Sequence, residues 1–370
     1  MKKSVAIVCS RLDLQGGIER ASVNLAHLFL NNGHKVSIII LDCTAKLFYT
    51  VDERITIVQE NLHFGITQTG NMATRKIAFL HHIVKLRKIY KGLRPDYIIS
   101  TEYSLTVPTV FAAKDLSSKL IGWEHHHFYW MQKNKFWSLL FRYAYPKLDK
   151  VVNQNKAEKK LFENIGCKAV AIPYVTPQQK ITAPLDNKVI LSIGWLIKRK
   201  GVDLIPEIAE KIFKQFPNWS WKIIGEGEEY TSLKEELEKR GIEKNIVIQK
   251  PGSPAIEKEY LNASVFVLLS RFECLPLVLL EATSFGVPCI AFDCSTGPAF
   301  IINDKVDGLL IEQDNTDAMA EAIISLISNN EKRKMYGEAA HQNNARFSPE
   351  NVYARWEELF VEFDSERTRK

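Results

Sequence analysis

The feature that most restricts this chain is an alternation, sustained through both halves, of short apolar runs with segments of helical period. Residues 4–9, 35–40, 97–100, 120–123 and 150–153 read as strands in the first half, with helices predicted at 17–31 and 73–90. In the second half the predicted strands are 189–194, 220–225, 246–249, 265–270, 288–292 and 309–311. Helices are predicted between and after them at 202–216, 230–240, 276–285 and 315–328. Strand–helix alternation of this kind implies a parallel sheet covered on both faces, here twice over. A length of 370 residues agrees with two domains, because single cores rarely grow beyond ~250–300 residues. The stretch 174–187, with Pro177 and Pro184, reads as the linker. The expected domains are therefore 1–175 and 188–348, followed by a terminal segment, 349–370, with an amphipathic helix at 349–363. In such α/β sheets ligands bind beyond the carboxyl ends of the strands, so two facing sheets are expected to share a central cleft.

Composition narrows the function classes. At 46% hydrophobic and 25% charged residues, the chain is neither disordered nor fibrous. No apolar run approaches the ~20 residues that span a bilayer. The apolar stretch at 5–9 is too short for a signal-peptide core, and a cytoplasmic location is the expectation. The six cysteines form no CxxC pair and read as buried free thiols. Charge is divided unequally: residues 1–175 hold 25 Lys and Arg against 13 Asp and Glu, and the remainder 24 against 30. A basic first half suits an anionic surface or a phosphorylated lipid.

Four stretches carry chemistry. The first strand runs into Gly16-Gly17-Ile18-Glu19-Arg20 and a helix, where backbone N–H groups can approach an anion; a tight turn without ligand explains the same glycines. Gly194-Trp195-Leu196-Ile197-Lys198-Arg199-Lys200-Gly201 follows the strand that opens the second half, and its three cations suit a diphosphate or, alternatively, solvent. The stretch Ser270 to Glu281 joins a buried strand to a helix, with Pro276 suited to the first helical turn. It carries two carboxylates, Glu273 and Glu281, eight residues apart. Glu281 lies in an apolar helix and needs a partner or a ligand. Five or more helical steps put the pair roughly 8 Å or more apart, which favours separate tasks along an extended ligand over joint action at one carbon. Lastly, Trp123-Glu124-His125-His126-His127-Phe128 ends a strand. Three adjacent histidines cannot all face one metal, so zinc is discounted, and packing roles suit His126 and His127.

Together these residues resemble the family 4 retaining glycosyltransferases of GT-B fold, especially members that build bacterial surface polysaccharides. The resemblance spans nearly the whole chain. Its most specific element is the E-x7-E motif, Glu273 to Glu281, followed by Ala282-Thr283-Ser284-Phe285-Gly286-Val287-Pro288. Gly194 to Gly201 looks like the family's G-R-L-x-x-x-K-G, Gly225-Glu226-Gly227 like its G-x-G, and Cys294-Ser295-Thr296-Gly297-Pro298 and Glu124-His125 like the surface-polysaccharide members. The resemblance implies that Glu281 binds the donor ribose, that Leu275 lies in the donor site and that Glu273 sits by the transferred sugar. It further implies that Lys200 holds the diphosphate with Gly16 and Gly17, and that His125 lies at the reacting face. It implies no metal and no cofactor, and a final segment that crosses back to the first domain. Two departures stand out. Trp195 replaces the motif's arginine, for which Arg199 is the nearby substitute, and Ile172-Pro173-Tyr174 replaces Ile-Pro-Asn.

The expected function is transfer of a hexose from a nucleotide-sugar donor, UDP-linked by preference, to a glycan or lipid-linked acceptor. Arg75, Lys76, Lys85, Arg87, Lys88, Lys91 and Arg94, with the mixed aromatics and cations at Phe128-Tyr129-Trp130, Lys133, Lys135, Phe136, Trp137 and Arg142, suggest peripheral contact with anionic membrane at the inner face of the cytoplasmic membrane. A solvated helix face is the competing reading. Nicotinamide dehydrogenases are disfavoured, since no G-x-G-x-x-G follows the first strand, and no nucleic-acid-binding module is present. A nucleotide-sugar epimerase of the same architecture and a non-catalytic scaffold are the remaining rivals.

Overall fold

The computed structural model of the protein describes residues 2–42, 46–64, 72–130, 134–252 and 256–368; for residues 72–76, 130 and 367–368 only the backbone is described. Cys43, Lys133 and the side chains of Arg75, Lys76 and Trp130 thus lie outside the described residues. The chain divides into two compact units, Met1–Val175 with Val352–Lys370, and Thr176–Asn351.

The first unit is built on seven strands, β1 (Ser4–Cys9), β2 (Lys35–Ile40), β3 (Thr56–Gln59), β4 (Tyr97–Thr101), β5 (Lys119–Trp123), β6 (Lys150–Asn153) and β7 (Ala169–Ala171). Their order is β3-β2-β1-β4-β5-β6-β7, and every pairing is parallel. Parallel strands need crossovers, and the helices that supply them cover both faces, so the central strands are apolar without alternation. Sequence periodicity found the buried strands and missed the edge strands β3 and β7. Thr56–Gln59 is mostly exposed and Ala169–Ala171 spans three residues, so neither carries a burial pattern. Helix Tyr103–Ala112 also escaped, because its Thr, Val and Pro108 favour extended structure; its burial overrides that preference.

The C-terminal helix Pro349–Thr368 starts with Ser348 Oγ accepting from the Asn351 N–H and Pro349 in its first turn. From Val352 onward it belongs to the first unit. Phe360 stacks on Tyr97 at 4.2 Å, and Trp356 meets Phe29 edge-on at 5.3 Å. Lys3, Lys119 and Lys150, at the amino ends of β1, β5 and β6, pair with Asp364, Glu366 and Glu362 at 2.7, 2.9 and 2.7 Å.

The second unit holds six parallel strands, β8 (Val189–Ile193), β9 (Ser220–Ile224), β10 (Ile246–Gln249), β11 (Val265–Leu268), β12 (Cys289–Phe292) and β13 (Gly308–Ile311), in the order β10-β9-β8-β11-β12-β13. Three details differ from the sequence expectations. The segment predicted as one helix at 202–216 is a 3-10 turn, Val202–Leu204, then an α-helix, Ile205–Phe213, with Pro206 in its first turn. Pro276 stands just before helix Leu277–Ser284 in an extended conformation, outside the first helical turn. Residues 176–187, read as linker, are tied down within the second unit. Thr176 and Ala183 donate backbone bonds to Phe347 and Phe285, and the Arg333 guanidinium donates to the Leu185 carbonyl at 2.7 Å.

Trp356 is almost fully buried against Phe29, Phe360 and Trp123. Trp356→Ala should lower the stability of the first unit by about 3–5 kcal/mol, read as a drop in the urea midpoint of the full chain. A shift under about 1 kcal/mol would show that the helix does not help to build this core.

Candidate functional site

Strand order reverses between β8 and β11 in the second unit, and a crevice opens beyond their carboxyl ends. A shallow open depression lies there, lined by Ser192, Gly194, Trp195, Lys200, Leu269 and Ser270 among others. Two glycines let the loops close around it. Gly201 adopts φ +70°, and a Cβ there would stand 2.0 Å from the Leu269 carbonyl oxygen. A Cβ on Gly225 would stand 2.0 Å from the Gly194 carbonyl oxygen. Neither position has room for a side chain, so the turn Lys198–Lys200 is held against the end of β11.

Arg271 fastens that turn. Its backbone N–H donates to the Arg199 carbonyl at 2.9 Å, and its guanidinium to the Lys198 carbonyl at 2.6 Å. The same guanidinium grips Asp203 through two nitrogens at 2.7 and 2.9 Å and reaches Asp314 at 2.9 Å. The planar, five-donor fork of a guanidinium holds these acceptors in one fixed geometry, which a single ammonium does not impose. With the turn so placed, Lys200 Nζ reaches Glu273 Oε1 at 2.5 Å. Arg199 points its side chain to solvent, and Trp195 is 41% exposed beside the depression.

The Glu273 segment is braced from the loop after β12. Glu273 forms a parallel bridge with Thr296, whose hydroxyl donates to the Glu273 carbonyl at 3.2 Å. Thr296 adopts φ +80°, an outlier for a β-branched residue. Strain of this kind, of order 1–3 kcal/mol, persists only where the surroundings over-determine it. Cys294 is buried nearby, and burial, then Glu273, pushes its thiol to about 12. Like the other described cysteines it is a buried thiol outside any disulfide, which disfavours thiolate chemistry.

Glu281 occupies the middle of helix Leu277–Ser284 and is 8% exposed. Tyr260 Oη donates to its Oε2 at 2.6 Å, so a buried partner satisfies part of this carboxylate. Tyr260 lies on helix Ile256–Asn262, which periodicity missed, and no local signal links it to a residue 21 positions away. Leu275 is buried between the two glutamates in sequence. The structure thus brings Lys200 to Glu273 and gives Glu281 a separate environment.

In the first unit the reversal lies between β1 and β4. Gly16 caps helix Gly17–Asn31 with extended backbone. The space over it is filled by the helix's own Glu19, whose carboxylate oxygen would lie 1.9 Å from a Cβ at Gly16. Burial, then the neighbouring Glu102 and Asp13, raises the Glu19 carboxyl above its usual range. An anion at Gly16 and Gly17 therefore requires Glu19 to swing aside.

The three histidines after β5 take three different partners. His127 bonds Glu158, which also accepts from the Phe128 N–H at 3.0 Å. His126 Nε2 stands 3.6 Å from Glu102, at the end of β4. His125 is buried, stacked at 5.6 Å on Tyr174 and edge-on to Trp123, with Nδ1 2.7 Å from the Tyr174 hydroxyl. Its Nε2 has no hydrogen-bond partner among the described residues. When Tyr174 donates to Nδ1, the neutral ring carries its proton on Nε2, ready to donate. Tyr174 is the residue that stands where the Ile-Pro-Asn turn is altered, so its signal was present in the sequence without its role.

Two family models match residues 15–343 between them, "Glycosyltransferase Family 4" over residues 15–175 and "Glycosyl transferases group 1" over residues 176–343. An uncharacterized glycosyltransferase of Haemophilus influenzae is 30% identical over 96% of this chain and 99% of its own. The chain belongs to the family 4 glycosyltransferases. This glycosyltransferase is also 26% identical to the amylovoran biosynthesis glycosyltransferase AmsD of Erwinia amylovora, over 95% of this chain and 98% of that one. A Campylobacter jejuni N-acetyl-D-galactosaminyltransferase, named for a PP-undecaprenol glycan, is 27% identical over 94% and 95% of the two chains. Among solved structures, S. aureus TarM in complex with fondaparinux, alpha-GlcNAc-glycerol and UDP superposes with a TM-score of 0.80 at 15% identity, over 97% of this chain and 99% of that one. The fold is GT-B.

Burial, and to a lesser degree the charge of His126, holds the His125 pKa well below 6.5. The unfolded chain therefore takes up a proton near pH 6.5 that the folded chain refuses. Stability conferred by neutral His125 is intact above about pH 6.5 and falls by up to ~1.4 kcal/mol per pH unit below it. His125→Asn should flatten the urea midpoint between pH 7 and 5; a slope equal to that of the parent chain would exclude neutral burial. Gly201→Ala, whose Cβ meets the Leu269 carbonyl at a positive φ, should cost the full chain more than ~1 kcal/mol of stability, read from the urea midpoint; an unchanged midpoint would show that the turn is not held there.

Proposed function

We propose that this glycosyltransferase is a retaining, metal-independent enzyme that moves a hexose from a UDP-sugar to a lipid-linked or surface-glycan acceptor in bacterial polysaccharide synthesis. The observation that carries the reading is the Lys200–Glu273 pair beside the open depression at the β8/β11 reversal. A cation and a carboxylate on adjacent loops are the two charges that such a transfer needs. The names of the Erwinia and Campylobacter relatives support a polysaccharide or PP-undecaprenol acceptor, and the UDP bound to TarM supports the nucleotide.

The glycosidic C–O bond to the nucleoside diphosphate breaks, negative charge grows on the departing phosphate and positive charge on the sugar ring. Lys200 leaves Glu273 to hold the phosphate, and Arg199 takes the place of the arginine that Trp195 displaces. Both act as positioned cations at developing charge, in place of a metal ion. Glu273, released from the pair, faces the oxocarbenium-like sugar and its hydroxyls. The acceptor hydroxyl attacks from the face the phosphate has just left, and its proton passes to a phosphate oxygen, the nearest base on that face. Configuration is therefore retained. Glu281 holds the ribose hydroxyls, with Tyr260 keeping its carboxylate oriented, and Leu275 closes that part of the site. The backbone at Gly16 and Gly17 receives phosphate once Glu19 moves, and His125 offers its Nε2 proton to a sugar hydroxyl.

Lys200→Ala and Glu273→Gln should each slow transfer about 10- to 150-fold, the loss of one charged hydrogen bond of ~1.5–3 kcal/mol. Glu281→Ala should abolish the thermal shift given by UDP. NMR of the product from an α-linked donor would show an α linkage, and EDTA would leave the rate unchanged. An unaltered rate in Lys200→Ala would rule out this assignment of the diphosphate site.

A further inference from the structure

The first unit carries two apolar stripes that no other described residue fully covers. On helix Met72–Leu93, Ile77, Leu80 and Val84 are 68%, 63% and 66% exposed, at i, i+3 and i+7. On helix Lys135–Ala144, Phe136, Leu139 and Tyr143 repeat the same spacing, with Leu139 69% exposed. Residues three, four and seven apart share one helix face, so each trio is a continuous stripe. Ring contacts of Phe79 with Phe136 at 6.5 Å and with Trp137 at 6.0 Å bring the start of the second helix against the first. Tyr129, in the turn before the second helix, is exposed as well. Isolated apolar side chains on a surface need no explanation, but two adjoining stripes of large ones do.

Charge identifies the occupant. From Asn61 to Pro95 and from His125 to Leu148 the sequence holds no acidic residue at all. The first stripe runs on into exposed Lys88 and Lys91, and exposed Lys135, Arg142 and Lys147 flank the second. An apolar strip bordered only by cations matches the acyl boundary and headgroups of an anionic bilayer. A protein partner of ordinary composition would be met by some carboxylates on this face, as elsewhere on the chain. No helix among the described residues is long and apolar enough to cross a membrane, so attachment through this face is peripheral.

We infer that helices Met72–Leu93 and Lys135–Ala144 form a membrane-docking face that seats the first unit on anionic lipid, inserting Ile77, Leu80, Val84, Phe136, Leu139 and Tyr143. This deepens the lipid-linked acceptor reading above, since an enzyme seated on the bilayer meets such an acceptor in two dimensions. It stands apart from the transfer chemistry, because lipid binding is measured without donor or acceptor.

The test is co-sedimentation of the full chain with vesicles of phosphatidylethanolamine containing from none to half phosphatidylglycerol. Binding should rise with phosphatidylglycerol and fall in 0.5 M salt by about tenfold. The double variant Leu80→Ser/Leu139→Ser should lose about tenfold in vesicle affinity, and Lys88→Glu/Lys91→Glu should do so at low salt only. UDP-induced thermal shifts, which report the proposed donor site, should stay as in the parent chain. Binding indifferent to phosphatidylglycerol, or unchanged in the serine variant, would overturn the docking face. So would light scattering that shows a dimer dissociated by the serine variant, since a second copy would then cover the stripes. Loss of the UDP shift in the parent chain would instead count against the donor assignment and leave the docking result standing.

Discussion

A parallel strand cannot return to its neighbour without a crossover, and that constraint organises both units. Each sheet starts in its middle, winds outward one way, then reverses and winds the other way. At the reversal, adjacent strands send their loops to opposite faces, and the carboxyl ends are left open between them. In the second unit this gap lies between β8 and β11, and the depression lined by Trp195, Lys200 and Ser270 sits in it. Chemistry collects there because backbone and side-chain groups converge on space that no helix fills.

Charge at this site is confined by neighbours rather than by burial alone. The Arg271 fork holds the Lys198 and Arg199 carbonyls with Asp203 and Asp314, so the basic turn cannot drift. Lys200 then meets Glu273, and Glu273 is itself pinned by the strained Thr296. Two partly buried opposite charges satisfy one another until a ligand with its own charges replaces one of them. Glu19 over Gly16 repeats the device in the first unit, where a side chain occupies the helix terminus that an anion would use. The Lys200–Glu273 pair keeps costly unpaired charges out of the ligand-free site, whereas Glu19 meets burial with a raised carboxyl pKa.

How far the chain was legible can be traced through particular residues. β1, β2 and β6 were read with their observed bounds because a buried strand between crossovers leaves a nearly uninterrupted apolar run. β3 and β7 left no such trace, since an edge strand is paired on one side and half solvated. The edge strand β10, with one buried residue of four, was read at its bounds through its β-branched run Ile246-Val247-Ile248. Helix Tyr103–Ala112 was hidden by residues that prefer extended backbone and are overruled by burial. At the site, Glu273 and Lys200 were visible as charges at strand–helix junctions, and Glu281 as a charge within an apolar helix. Tyr260 and the anchoring role of Arg271 were not, because their partners lie 21 and 68 positions away.

The sequence by itself determined the doubly wound class, the approximate places of the loops and the residue types that stand in them. These follow from local periodicity and from glycine's freedom at turns, which act over a few residues and need no knowledge of the fold. Only the tertiary structure decided that Lys200 is bound to Glu273, that Glu281 answers to Tyr260 and that Glu19 covers Gly16. It alone decided as well that Ile77, Leu80 and Val84 lie bare beside Phe136 and Leu139, where helical pattern would have sent them to a core. A pattern says that a face is apolar; whether anything packs on it depends on the rest of the chain.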